Sequence, residues 1–251
     1  MQEISIREAA PQIFRRPLLY VGPDEDLVHA ATFLAIGPQI YADGLVVLDA
    51  GGLVGTIGGR NLVRHILEKK EKWLDAKAGA ITERLDKSLD AAAPVRDALD
   101  MFAKTHFAFA PVSVDGLVVA SLSVRDLLGS ADAGRRAGEL ASQLKTVSED
   151  KGVLESMRFM VENDVRDLVA MRNDGPYVIN DRKVLEFLLG HEARQLAAEK
   201  GFSELDRVPL SHIGFSKCAS IGATETAGAA AKMLSDASVP CLFVDGKILT
   251  P

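Results

Sequence analysis

The chain is short of the features that mark a catalyst, a membrane protein or a nucleic-acid binder. Only two of its 251 residues are cysteine, Cys218 and Cys241. Neither stands in a CxxC or Cys/His arrangement with metal-ligand spacing, so they read as small core or near-surface residues in a reducing compartment. No apolar run approaches the roughly 20 residues that a membrane helix needs. Met1 to Glu8 is polar with no apolar stretch behind it, so no signal peptide is expected and the expected location is cytoplasmic. Basic charge is not in excess: the net charge is −6 and the pI is near 5.4. That balance disfavours general binding to a phosphate backbone, although local basic clusters can still hold a small anion.

Catalytic motifs are missing as well. The glycines from Gly51 to Gly59 form neither a GxxxxGK[ST] phosphate loop nor a GxGxxG turn. The five histidines, at 29, 65, 106, 191 and 212, make no metal-binding pair of HxxxH type. No Ser/His/Asp order follows from spacing. The chain is therefore expected not to be an enzyme.

What is present is an ordinary globular composition, 47% hydrophobic and 25% charged, in a chain long enough for one large domain or two ordinary ones. Its organisation is a repeat. An amphipathic helix, a short apolar strand often led by proline, an Asp/Gly turn, a second apolar strand and a polar helix start recur four times. The second copy is the clearest. Val95–Lys104 has a helical apolar stripe, and Pro94 suits its first turn. Ala110-Pro111-Val112-Ser113-Val114 is a strand, Asp115-Gly116 a hairpin turn, and Leu117–Leu122 the return strand. Ser123 then caps a helix through Leu128.

The first copy has a helix over Leu27–Ile36 and strands over Leu45–Leu48 and Leu53–Ile57. A long helix then runs from Asn61 to about Ala78. The third has a helix over Val153–Val161, strands over Asp167–Met171 and Pro176–Ile179, and a helix from Asn180 toward Lys200. The fourth has a helix over Thr224–Leu234 and strands over Val239–Val244 and Lys247–Thr250, and stops where its last helix would start. Either the chain is truncated there or that helix is missing; the residues leave both open. A single copy is too small to be stable alone. Copies are expected to pair, as 1–130 (copies at about 15–78 and 80–130) and 131–251 (about 139–200 and 205–251, the last incomplete). The small polar stretch Gly129–Arg136 divides them.

These residues resemble the CBS domain. The second copy matches in Ala110-Pro111-Val112, Asp115-Gly116 and Ser123-Val124-Arg125-Asp126. The fourth matches in Val239-Pro240, Asp245-Gly246 and Ile248-Leu249-Thr250. Copy one has Gly58 and Asn61, and copy three Asn180 and Lys183, where S/T and Asp stand in the pattern. The resemblance implies a mixed α+β fold of four CBS repeats in two pairs (Bateman modules), each with small three-stranded sheets packed against helices. It is similar to the gamma regulatory subunit of AMP-activated protein kinase and to stand-alone archaeal and bacterial CBS proteins.

The resemblance also implies a non-catalytic sensor with no required cofactor. It would bind an adenosine-containing ligand, AMP, ADP, ATP or S-adenosyl methionine, and report to a regulated protein that the residues do not identify. Asp126 would hold the ribose, Ser123 the ribose or a phosphate, and the backbone around Phe107, Ala108, Ala110 and Pro111 the base. Ser88 would add an adenosine contact. Pro240 and Thr250, and Gly58 and Asn61, stand at the matching places of copies four and one. A carboxylate accepts both hydroxyls of a ribose, and free N–H groups of a first helical turn meet phosphate. Ser123 and Asp126 also read as a plain helix cap with an acidic first turn.

Phosphate would need Arg60, Arg64, His65, Arg125, Arg182 or Lys183, which read equally as solvated helix faces. His106 lies near the base site. The alternative to a sensor is a CBS-fold interaction scaffold with degenerate clefts. The modules are expected to stack within the chain or as a homodimer.

Overall fold

A computed structural model describes residues 4–37, 43–105, 107–130, 134–236 and 238–251. His106 and part of the 129–136 divide lie outside them.

Four small sheets, one per copy, form the framework. Each is built on an antiparallel hairpin: Gly44–Asp49 with Gly52–Gly58, Phe109–Val114 with Leu117–Ser123, Asp167–Arg172 with Gly175–Asn180, and Leu242–Val244 with Lys247–Leu249. The two Asp-Gly turns are tight because both residues take positive φ, 50° and 81° at Asp115-Gly116 and 46° and 82° at Asp245-Gly246. The first two hairpins share an irregularity at matching places, Val47/Leu48 and Val112/Ser113.

Short strands that no hydrophobic pattern reveals widen these sheets. Tyr20–Val21 runs parallel to the first hairpin, Leu89–Asp90 to the second and Ala219–Ser220 to the fourth. Glu83–Arg84, Ser216–Lys217 and Ser142–Gln143 add antiparallel edges to the first, third and fourth sheets. At two residues each, they carry no readable period.

The first helix of every copy is clasped at its start by a remote segment. Leu27 N–H donates to the Ala76 carbonyl and Val153 N–H to that of Val208, both from chain that follows the copy's hairpin and second helix. Val95 N–H donates to the Ile4 carbonyl and Ala227 N–H to that of Arg135, both from chain that precedes the first copy of the pair. Residues 4–16 thus belong structurally to copy two, where Ile6, Ala10 and Ile13 are buried with Leu89, Val95 and Phe102. Ala137 likewise enters the core of copy four. These clasps satisfy helix N–H groups that would otherwise be orphaned.

The largest core joins copies one and three. Helix Leu27–Ala35 packs on helix Asp181–Leu189, and helix Gly59–Lys69 on helix Val153–Glu162. Leu34, Leu62, Ile66, Met157, Leu185 and Leu188 lie in this one cluster. Copies three and four meet sheet to sheet through Val169, Val178, Cys218, Cys241 and Ile248. Copies one and two meet where Gly44 faces the Phe109 ring; a Cβ there would lie 1.8 Å from it.

Three expected helices differ. The long helix of copy one ends at Lys69. Lys70 takes φ 52°, and a 3-10 turn over Lys70–Asp75 swings Trp73 into the core, where it is 3% exposed. The helix expected from Asn180 toward Lys200 is two helices, Asp181–Leu189 and His191–Lys200, because Gly190 is extended at ψ 157°. The segment after Ser123 is a 3-10 helix, Val124–Ser130, and not an α-helix.

Candidate functional site

The four copies surround a cavity of about 770 Å³. Strand ends and helix starts line it, as the repeat places them. The hairpins of copies one, two and three each end in a helical segment whose first residues face inward: Gly58–Asn61, Ser123–Arg125 and Asn180–Lys183. Copy four contributes Pro240, Ile248 and Thr250, and Lys145 and Arg166-Asp167 enter from copy three, ahead of and at the head of its hairpin.

The polar wall is a connected network. Ser123, 6% exposed, donates its hydroxyl to the Asp43 carboxylate of copy one and accepts from the Arg125 N–H at 3.1 Å. Asp43 also accepts from Arg182 of copy three at 2.6 Å. Arg166 makes a two-pronged contact with Asp181, at 2.8 and 3.3 Å. Gly59 is obligatory beside it, since a Cβ would lie 2.3 Å from Asp181 Oδ2. The Arg125 guanidinium crosses to copy four and donates to the carbonyls of Leu234, Val239 and Pro240, at 2.5, 3.0 and 3.4 Å. Arg60 pairs with Asp164 and Lys183 with Glu186. Lys145 has no ion-pair partner among the described residues.

Titration follows from this crowding. Burial acts to raise the Asp43 pKa, but Arg182, Arg166 and the Ser123 hydroxyl outweigh it and hold the carboxyl below its usual range. Asp167 is pushed up to about 6, first by desolvation, against the pull of Arg166. Arg166 is raised by Asp181, and Arg125 is lowered by desolvation.

Eight of the twelve sequence-derived site residues line this cavity: Ser123, Arg125, Phe107, Ala108, Thr250, Pro240, Asn61 and Gly58. Asp126, Ser88, Ala110 and Pro111 are not on its wall. The Asp126 carboxylate turns back, accepting from Ser123 N–H at 2.9 Å and from Gln12, and pairing with Arg16 at 2.8 Å. Its side chain is 4% exposed. Ala110 and Pro111 are buried within the copy-two hairpin, and Ser88 immediately precedes the strand Leu89–Asp90. Asn61 donates to Glu83, and Asn180 caps its helix by accepting from Lys183 N–H at 3.1 Å.

Of the basic candidates, Arg60, Arg125, Arg182 and Lys183 reach the cavity. Arg64 is exposed, and His65 is buried in the core side of its helix; neither is on the wall. Asp43, Lys145, Arg166, Asp167 and Asp181 were not legible as site residues. The one available signal was the Arg166-Asp167 pair at the head of an apolar strand, a place where charge needs a partner.

Among the described residues, no cluster of His, Cys, Asp or Glu is arranged to hold a metal, and no helix is long and apolar enough to cross a membrane. No family model and no curated protein matches the chain by sequence. Solved structures match it in fold. A protein of Methanocaldococcus jannaschii, proposed as an archaeal homologue of γ-AMPK, superposes with a TM-score of 0.80 at 16% identity, over 98% of this chain and 97% of its own. A CBS-domain-containing protein of Agrobacterium tumefaciens covers 51% of this chain and 98% of its own at 19% identity, TM-score 0.44. The protein CBSX2, solved in complex with AMP, covers 50% and 94% at 19% identity, TM-score 0.39. The chain has the fold of a four-repeat CBS-domain protein, the mixed α/β architecture of the archaeal γ-AMPK-like structure.

Proposed function

We propose that this chain is a non-catalytic regulatory sensor that binds an adenosine-containing ligand and signals to a partner protein. The observation that carries the reading is the cavity itself. Arginines from copies one, two and three converge with the Ser123 hydroxyl and with helix starts, and these are the groups that recognise phosphate. Of AMP, ADP, ATP and S-adenosyl methionine, the three that carry phosphate suit a guanidinium-rich wall; the sulfonium of S-adenosyl methionine does not. The base would enter between Phe107, Ala108 and Pro240, and the phosphate would face Arg182 and Lys145.

The units we propose are residues 1–130 and 131–251. In support, every backbone clasp closes within one of these stretches. Titration of the whole chain with the four ligands by calorimetry tests the reading. Heat with at least one phosphate-bearing ligand at micromolar to millimolar concentration is the expected result, and no heat with any of the four at millimolar ligand sinks it.

A second reading, a CBS-fold scaffold whose clefts no longer bind, is favoured by one observation. The groups at the ribose places are already engaged, Asp126 with Arg16 and Asn61 with Glu83. It requires association with a protein partner that nucleotides leave unchanged.

A further inference from the structure

Asp43 comes from copy one, yet its carboxylate sits on the anion-recognising groups of copies two and three. It accepts from the Ser123 hydroxyl and from Arg182 at 2.6 Å. Arg166 and Arg125 also face it closely enough to stabilise its charge. A carboxylate and a phosphate oxygen are recognised by the same donors, a hydroxyl and a planar guanidinium. The side chains of Asp43 and Arg182 are each only 12% exposed, so little of that guanidinium is open to an incoming anion while Asp43 is seated on it.

We propose that Asp43 is an intramolecular competitor: its carboxylate fills the phosphate subsite made by Ser123 and Arg182, and a ligand's phosphate takes that subsite by displacing it. The proposal rests on the reading that the cavity accepts a phosphate-bearing ligand, and it adds what sets the affinity. It also supplies a route for the signal. Asp43 immediately precedes Gly44, whose backbone lies against the Phe109 ring at the junction of copies one and two. Moving Asp43 therefore acts on that junction.

The experiment compares the parent chain with Asp43→Asn, using AMP, inorganic pyrophosphate and, as a phosphate-free control, adenosine. Asparagine keeps the shape and removes the charge. Asp43→Asn is expected to bind AMP and pyrophosphate at least tenfold more tightly than the parent, with adenosine binding unchanged. It should melt below the parent, because Arg182 loses its ion pair with Asp43, and millimolar pyrophosphate should restore the melting point. Binding no tighter than the parent overturns the proposal.

If the variant does not fold alone, it is refolded with and without pyrophosphate. Recovery only with the anion supports the proposal, and no recovery in either counts against it. The double variant Asp43→Asn/Arg182→Gln should lose the tenfold gain; a retained gain overturns the assignment of the subsite. The two readings fail separately. If pyrophosphate tightens but neither protein binds AMP, ADP or ATP, the adenosine reading fails and the competitor stands. If the parent binds AMP and Asp43→Asn binds it no better, the competitor fails and the sensor stands.

Discussion

Replacing Gly59 by alanine probes the joint between copies one and three. The new Cβ would lie 2.3 Å from Asp181 Oδ2 and 3.0 Å from its Cγ. Asp181 is 2% exposed, and both its oxygens are engaged by Arg166. The carboxylate can retreat only by giving up part of that two-pronged contact, whose charged hydrogen bonds are worth about 1.5–3 kcal/mol. Residual overpacking adds about 1–3 kcal/mol. The helix-propensity gain of alanine is below the roughly 1 kcal/mol of a helix interior, since Gly59 is the first helical residue. A net loss of about 3 kcal/mol follows, or about 6–12 °C in melting temperature for a chain of this size.

The sharper test is the cycle with Asp181→Ala. That change alone removes the carboxylate that Arg166 hydrogen-bonds, and because Asp43 and Asp167 stay nearby its cost falls at the low end of a broken buried pair, about 3 kcal/mol. Once the carboxylate is gone, Gly59→Ala has nothing to strike, so the double variant should be as stable as Asp181→Ala alone. The two losses are then non-additive by about 3 kcal/mol. Urea denaturation of the four proteins measures this. Additive losses, or a Gly59→Ala variant as stable as the parent, would refute the claim that Gly59 is held to glycine by the buried carboxylate.

Asp167 sets a pH signature. Its folded pKa is about 6, whereas an unfolded aspartate titrates near 4. The folded form holds the proton to higher pH, so this group adds stability as pH falls from about 6 to 4 and costs stability above 6. Arg166, Asp181, Arg125 and Arg182 face it. Asp167→Asn should therefore gain on the parent at pH 7 and lose that advantage at pH 4.5, read from urea midpoints; an equal difference at both pH values would count against the assignment. The Cys241 thiol is fully buried 3.4 Å from Cys218 Sγ, and the thiol–thiol hydrogen bond together with burial holds its pKa up. Iodoacetamide should label it no faster than the chain unfolds, as followed by mass spectrometry. Labelling that outpaces unfolding would show that this copy-three to copy-four joint opens locally.

Much of the fold was legible because its signals are local. The Asp115-Gly116 and Asp245-Gly246 turns, the helix at Val95 and the hairpins beside it follow from turn chemistry and periodicity within a dozen residues. The helix breaks at Lys70 and Gly190 were not legible because they answer to the burial of Trp73 in a core shared with copy three and to the packing of copy three itself. At the site, the Ser123-x-x-Asp126 element was visible, but its two residues part company in space. Ser123 faces the cavity, and Asp126 turns to Arg16, which lies far away in the chain. Asp43, alone in a stretch with no motif, could not be read as facing Ser123 and Arg182.

The residues by themselves determined the repeat and its four hairpins, because each depends on neighbours in sequence. Only the tertiary structure decided which copies share a core, which arginines meet in the cavity, and which carboxylates already neutralise them. Those outcomes depend on charges brought together from separate copies, as Asp43 of copy one meets Arg182 of copy three at 2.6 Å, and in a buried setting a charge is stable only where the fold supplies its partner.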